Sequence, residues 1–503
     1  MLVRVSAAVK PDVDVLVVGS GPVGSAFARA VHERAPETRI VMLEAGPLLT
    51  ERPGVHVRNI SDAGARLRAQ VLSEGPSGVD DGRRRSGPPE PGTARPGTAL
   101  LDAVNAAFPE AAMSTNVGGM GVHWTCACPR PGDGERIPFL PGHELDDLLG
   151  EAERVLGVRR DVFSVSAEGR AILDALRTTY DPDLPPERRV DAMPLACVTD
   201  EEGRPYWTGS DVVLGPLAEP GVDTFELRAD TVCQRLETDG ARIVAADVEH
   251  RPTGRRERIT ACAFFVAADA LRTPQLLWAS EIRPPALGRY LNDHIQVVTA
   301  VRLDARSIRR DDGLTVPRRN GDDPVAGVFW VPFSASRHPF HGQVMHLEMS
   351  PVAIVDAEPT EHVVGLGWFV PKEIRRDDRV TFSDRQRDAY GLPAMRIEYA
   401  LTEYDLENVD AAIADLERAA TALGEPVRGR GPTRIPAGSS LHYQGTTRMG
   451  ESEGDDSVCD PFSRVWGFEN LFVGGNGLIP TATAGNPTLT SVALAIRAAG
   501  AVA

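Results

Sequence analysis

Val13-Asp14-Val15-Leu16-Val17-Val18-Gly19-Ser20-Gly21-Pro22-Val23-Gly24 joins an apolar run to a glycine-rich turn and then to a helical pattern over residues 25–34. The order strand, GxGxxG, helix is a dinucleotide grip. Gly19 permits the tight turn, Gly21 lets backbone approach a pyrophosphate, and Gly24 lets the helix pack against the strand with its positive N-terminus toward the phosphates. A second strand over residues 39–43 ends in Glu44-Ala45, twenty residues past Gly24, where the acid can accept from a ribose hydroxyl. An acid at that place disfavours the extra phosphate of NADP, which leaves FAD or NAD. The competing reading is a glycine turn that holds no ligand, and the strand, helix and acid in register argue against it.

Composition sets the outer limits. A chain of 503 residues with 42% hydrophobic residues has core enough for two to three domains. Its net charge of −17 argues against a nucleic-acid partner, since that needs a basic footprint. No apolar run approaches the ~18 residues of a membrane span, and a strand that begins by Val13 leaves no room for a signal peptide, so the expected location is the cytoplasm. The cysteines at 126, 128, 197, 233, 262 and 459 form neither a CxxC pair nor a Cys/His cluster, so neither a disulfide framework nor a metal site is expected.

Further along, residues 72–98 are dense in Gly, Pro, Arg and Ser and carry no apolar period, as in an insertion or lid. The Arg83-Arg84-Arg85 run within it reads as a solvated loop tip. From Thr224 the pattern turns to β: residues 225–228, 232–238, 243–250 and 258–261, with Asp239-Gly240 and Thr253-Gly254 turns, read as a β-meander leading into the apolar strand 264–267. A meander in place of a helical crossover favours an FAD domain over a plain NAD domain. Strands at 326–331, 363–370 and 395–399 with an amphipathic helix over 406–423 predict an antiparallel sheet with a covering helix. The strand at 471–476 and a helix over 488–499 return the chain to its first domain. The predicted class is α/β: a Rossmann-like cofactor domain (1–140, 215–300, 435–503) interleaved with an α+β substrate domain (141–214, 301–434).

Three further segments carry chemistry. Gly118-Gly119-Met120-Gly121-Val122-His123-Trp124-Thr125, Leu441-His442-Tyr443-Gln444-Gly445-Thr446 and Gly485-Asn486-Pro487-Thr488-Leu489-Thr490 stand in an order and spacing that resembles the glucose-methanol-choline (GMC) flavin oxidoreductases. Within that group the HWT and NPTLT segments look most like pyranose oxidases, and the likeness extends over Thr273-Pro274-Gln275-Leu276-Leu277 and Leu291-Asn292-Asp293-His294. The resemblance implies FAD, a p-hydroxybenzoate-hydroxylase-like fold and a His/Asn pair facing the flavin, here His442 and Asn486. A neutral imidazole at His442 can take the proton of a substrate hydroxyl while the carbon gives up hydride, and Asn486 can hold the same oxygen. The bland alternatives are a loop histidine satisfied by backbone and an asparagine N-cap.

By the same resemblance His123 matches the residue through which fungal pyranose oxidases attach the flavin, and Thr125 the residue that bonds its N5 and O4. The backbone of Val232 matches the adenine contact, and Ala267, Asn476 and Thr488 fall at cofactor positions. Trp124 reads as packing. Two departures stand out. The strand before TPQLL ends Ala267-Ala268-Asp269 where the family has a small residue and Gly, and the substrate loop reads Leu347-Glu348-Met349 where the fungal enzymes carry Asp and an aromatic pair. Sugar recognition by that loop is weakened, and a glycoside with an aromatic or aliphatic aglycone fits better, with Gln343 left to bond a hydroxyl.

The expected activity is oxidation of a secondary ring hydroxyl, at C2 or C3, of a pyranose or a pyranosyl C- or O-glycoside, with O2 or a quinone as acceptor. The rivals are a flavin dehydrogenase of a steroid or choline-like alcohol, a catalytically silent flavin-binding partner protein and an NAD dehydrogenase.

Overall fold

The computed structural model describes residues 11–73, 98–100, 107–163, 166–304, 325–347, 362–427 and 431–502. The predicted insertion at 72–98, apart from its ends, and the substrate-loop residues Glu348 and Met349 lie outside these.

Apolar runs from both ends and the middle of the chain pair as five parallel strands in the order Leu471–Val473, Ala261–Val266, Val13–Val18, Ile40–Leu43, Phe225–Arg228. Leu16, Val17, Phe264, Phe265 and Val266 are fully buried, as strands covered on both faces must be. On one face the helix Pro22–Arg34 sets Phe27 against Phe265 with ring centroids 3.8 Å apart. The helices Pro22–Arg34 and Gly142–Leu156 both pack on Thr488–Ala499, whose near-complete burial explains its apolar residues on every side.

The antiparallel strands Thr231–Asp239, Arg242–His250 and Arg255–Ile259 form the meander, with Gly240 and Gly254 at positive φ in its turns. Phe225–Arg228, read from sequence as the meander's first strand, belongs instead to the parallel sheet, in register with Ile40–Leu43. Asp230, at φ +50°, turns the chain between the two.

A second, antiparallel sheet runs Gly424–Pro426, Ile295–Leu303, Val363–Val370, His341–Leu347, Val325–Val331, Asp191–Ala192. The helix Glu403–Leu423 covers it, opened by a capping box of Thr402 and Asp405. The strand expected at 395–399 is not part of that sheet: Pro393–Glu398 pairs only with Arg379–Arg387 in a separate hairpin, where the polar, exposed residues 384–387 could not have been buried. No helix among the described residues is long and apolar enough to cross a membrane.

Candidate active site

The carboxyl ends of the parallel strands open on one cavity of about 360 Å³, the place where α/β sheets bind ligands. At its centre lies the glycine turn. Gly19 has φ +104°, and a Cβ there would stand 2.3 Å from Ala267 O; one on Gly24 would stand 2.0 Å from Gly19 O. These two glycines make the turn possible and hold the helix down. A Cβ on Gly21 would meet nothing nearer than Gly118 O at 3.9 Å, so this position faces open space. Gly21 is the N-cap of Pro22–Arg34, and Ser20, Pro22, Val23, Gly119 and Met120 line the cavity beside it. Gly118, like Gly24, is not in the lining; its φ of +95° and its approach to Gly54 shape the loop behind.

Glu44 is buried. Its Oε2 accepts from Ser20 N at 3.2 Å and Ser20 Oγ at 2.7 Å, its Oε1 from Gly46 N at 3.1 Å, and burial pushes the carboxyl up to about 7 against those bonds. The end of the cavity near Glu44 and Ala45 is completed by Val232, Ala267, Arg272, Tyr390 and Leu392. Val232, Tyr390 and Leu392 form one apolar cluster with Ala45. Tyr390 lies between the guanidinium groups of Arg251 and Arg272, at 4.4 and 4.6 Å, and Asp388 in the same turn binds Arg272 and the Gln275 side chain. Asp269, the departure from the family pattern, sits at φ +70° and accepts from Leu271 N at 2.6 Å and Arg272 N at 2.9 Å, so it caps its own helix.

His123, Trp124, Thr125, His442, Asn476, Asn486 and Thr488 line the other end. Asn486 Nδ2 is 3.2 Å from His442 Nε2, which joins two residues 44 positions apart. Pro487, not Asn486, takes the N-cap place of Thr488–Ala499, so the asparagine side chain is free to turn toward the histidine. Burial lowers His442 to about 4, and it is neutral near neutral pH. Its backbone N–H donates to Asp293 Oδ1 at 3.1 Å, its Nδ1 meets His294 Nδ1 at 3.0 Å, and the Phe369 ring lies 5.4 Å away.

His123 Nε2 is 2.7 Å from Ser114 Oγ, whose own hydrogen goes to Asn116 Oδ1 at 2.7 Å. Ser114 can therefore only accept from His123, which puts the imidazole hydrogen on Nε2 and leaves Nδ1 buried without a partner. Trp124 donates Nε1–H to Thr208 O and packs against the core, as its bulk suggested.

The structure keeps Gln343 and Leu347 out of the cavity lining. Gln343 is buried on the strand His341–Leu347, and Leu347 is core. It is His341, two residues ahead of Gln343 on the same face, that adjoins Asn486.

Several residues of the site were not singled out from the sequence. Glu135 Oε1 accepts from Ala484 N at 2.8 Å and Gly485 N at 2.9 Å, holding the backbone just before Asn486. His56 accepts from Arg58 N through Nδ1, so its Nε2–H donates to Trp124 O at 3.0 Å and braces the His123 loop. His294 lay in plain view in the Leu291–His294 motif, with no role attached.

A glycine grip at the carboxyl edge of a parallel sheet, a meander and a buried His/Asn pair on one cavity define a flavin-linked alcohol oxidoreductase. The family model described as GMC oxidoreductase matches residues 375–495. The chain is 48% identical over 499 residues to a C-glycoside 3-oxidase of Microbacterium trichothecenolyticum, covering 97% of this chain and 96% of that protein. It is 46% identical to a C-glycoside 3-oxidase of Arthrobacter globiformis, over 98% and 95% of the two chains. A pyranose 2-oxidase of Tricholoma matsutake is 32% identical over 97% of this chain and 93% of its own length. The fold matches that of pyridoxine 4-oxidase from Mesorbium loti with a TM-score of 0.65 at 17% identity, over 97% and 99% of the two chains. This chain belongs to the GMC oxidoreductase family, whose members are FAD-binding flavoproteins. The residues present fit that cofactor: there is open space at Gly21, a helix N-terminus beside it, and unpartnered polar atoms on His123 and Asn486 at the far end.

Proposed function

We propose that the protein oxidises the C3 hydroxyl of the pyranosyl ring of a C-glycoside to the ketone. The observation that carries this reading is the contact of His442 Nε2 with Asn486 Nδ2 on the wall of the dinucleotide cavity. Two relatives near half identity are C-glycoside 3-oxidases, which supports C3 over C2 and a glycoside over a free sugar.

Bound FAD supplies the hydride acceptor, held by the Gly19–Gly24 turn at its pyrophosphate, Glu44 at its adenosine ribose and Val232 at adenine. The chain's own part is proton chemistry. Neutral His442 takes the substrate hydroxyl proton on Nε2, and Asn486 donates Nδ2–H to the same oxygen and orients it. The glycoside would enter at the end of the cavity lined by His442 and Asn486, and O2 or a quinone would be the final electron acceptor. His442→Ala is expected to slow anaerobic flavin reduction by roughly 10²- to 10⁴-fold with the bound-flavin spectrum intact. Reduction at the parent rate sinks the assignment. Product NMR after turnover of a phenolic C-glucoside distinguishes the 3-keto from the 2-keto sugar.

The contact of His123 Nε2 with Ser114 supports a flavin held without a covalent bond through that nitrogen. Acid precipitation leaves the colour in the supernatant on this reading, whereas colour in the pellet refutes it.

A further inference from the structure

His442 and His294 approach through their Nδ1 atoms at 3.0 Å, with rings edge to face, and only one hydrogen fits between two such nitrogens. If it sits on His294, His442 carries its own hydrogen on Nε2 and cannot act as a base. The contact on the cavity side decides the matter. Trp330 Nε1–H donates to His341 Nδ1 at 3.1 Å, so His341 bears its hydrogen on Nε2, and its side chain interacts with Asn486. Asn486 Nδ2, an amide nitrogen that can only donate, lies 3.2 Å from His442 Nε2, which must then be bare. On the other side His294 Nε2 lies 3.0 Å from Thr483 Oγ1, and Thr483 is bracketed by the Gln444 amide, with Nε2 at 2.9 Å and Oε1 at 3.1 Å. Gln444 Nε2, also a donor, lies 3.1 Å from His294 Nε2, so this side does not by itself place the His294 hydrogen; the bare Nε2 of His442 does, because it puts the hydrogen shared by the pair on His442 Nδ1.

We propose that His294 is the positioning residue that fixes the tautomer of the catalytic histidine, accepting from His442 Nδ1–H and thereby keeping His442 Nε2 unprotonated toward the cavity. The inference rests on the reading of His442 as the base. When the substrate O–H bond breaks and the proton bonds to His442 Nε2, the imidazolium keeps Nδ1–H on His294, now as a charge-assisted bond. His294 therefore orients the ring before the reaction and stabilises its charge during it. The bond can form because His294 is fully buried and remains neutral. The other titratable groups that face the pair are Asp293, which holds the His442 backbone, His341 across Asn486, Glu135 behind residues 484–485, and Tyr399, which donates to Asp293 O.

The test uses the holoenzyme in anaerobic single-turnover reduction with D-glucose and with a phenolic C-glucoside, across pH. His294→Leu removes the acceptor and is expected to slow reduction roughly 10- to 10²-fold, part of the 10²–10⁴ that general-base catalysis contributes. Its acid limb moves to lower pH, because the imidazolium has lost its acceptor. His294→Asn places an oxygen where Nδ1 stood and restores most of the rate and the position of the limb. Equal losses in both variants with the limb unmoved, or no loss in either, overturn the proposal. Should His294→Leu fail to fold, ¹⁵N spectra of the unaltered holoenzyme labelled at its 11 histidines read the tautomer directly, with His442→Gln identifying the resonance. A protonated Nδ1 on His442 supports the proposal, and a protonated Nε2 overturns it. Failure of the base reading shows separately, as unchanged reduction in His442→Ala.

Discussion

Glu135→Gln tests whether the Asn486 loop is held by one carboxylate. Glu135 is 3% exposed and accepts three backbone hydrogen bonds, from Ala484 and Gly485 on Oε1 and from Gly132 on Oε2 at 2.5 Å. Glutamine keeps the shape but offers a single acceptor. If its oxygen faces residues 484–485, two bonds fall from charged to neutral, at about 1 kcal/mol each, and the amide hydrogens confront Gly132 N–H, at about 2–3 kcal/mol. The total is ~4 kcal/mol. With about 2.1 cal/mol/K of unfolding entropy per residue over 503 residues, cooperative melting would fall by ~4 °C. The loop leads directly into Asn486, so anaerobic flavin reduction is expected to slow alongside, while flavin content stays normal. Melting by flavin fluorescence and stopped-flow reduction provide the readout. A variant that melts within a degree of the parent and reduces at its rate refutes the reasoning.

Gly24→Ala brings a Cβ to 2.0 Å from Gly19 O and is expected to yield protein without flavin, whereas Gly21→Ala, with 3.9 Å of room, folds and loses affinity only; a fully yellow Gly24→Ala protein contradicts this. Stability is expected to fall toward acid. Burial holds His56, His123 and His341 at about 3 and His442 at about 4, with His294 well below its ordinary value, so between about pH 4 and 6.5 the unfolded chain binds more protons at these sites than the folded one. Glu44 and Asp293, raised to about 7 by burial, work in the opposite sense between about pH 4 and 7, as do Asp211, Asp247 and Asp269, also raised by burial, but carboxyls held below their ordinary value, Asp415 beside His338 and Glu33 beside Arg29 among them, act with the histidines. Urea midpoints that rise from about pH 6.5 to 4.5 would show the sign to be wrong.

The parts of this protein legible in its sequence are those whose cause is local. The turn at Gly19 to Gly24 follows from glycines, within six positions of one another, two of which have no room for a side chain, and the helix at Thr488–Ala499 from the apolar run Val492-Ala493-Leu494-Ala495-Ile496 at its centre. Strand pairing is different in kind. Phe225–Arg228 has the same pattern whether its neighbour is the meander or Ile40–Leu43, because a period of two states which face is buried and not which strand lies alongside. The supporting shell of the site is hidden for a like reason. Glu135 stands in a glycine-rich loop with no period and meets Ala484 across 349 residues, and His294 meets His442 across 148. The family resemblance brought His442 and Asn486 together, but not the groups that decide where their hydrogens lie.

The hairpin of Arg379–Arg387 and Pro393–Glu398 has a consequence for how long the cofactor stays. Its turn inserts Tyr390 between Arg251 and Arg272 and fastens Asp388 to Arg272 and Gln275, closing the adenosine end of the cavity with chain drawn from outside the nucleotide fold. Loosening this latch, by Tyr390→Ala or Asp388→Ala, is expected to shorten the residence time of a nucleotide seated there while leaving the glycine turn that receives it intact.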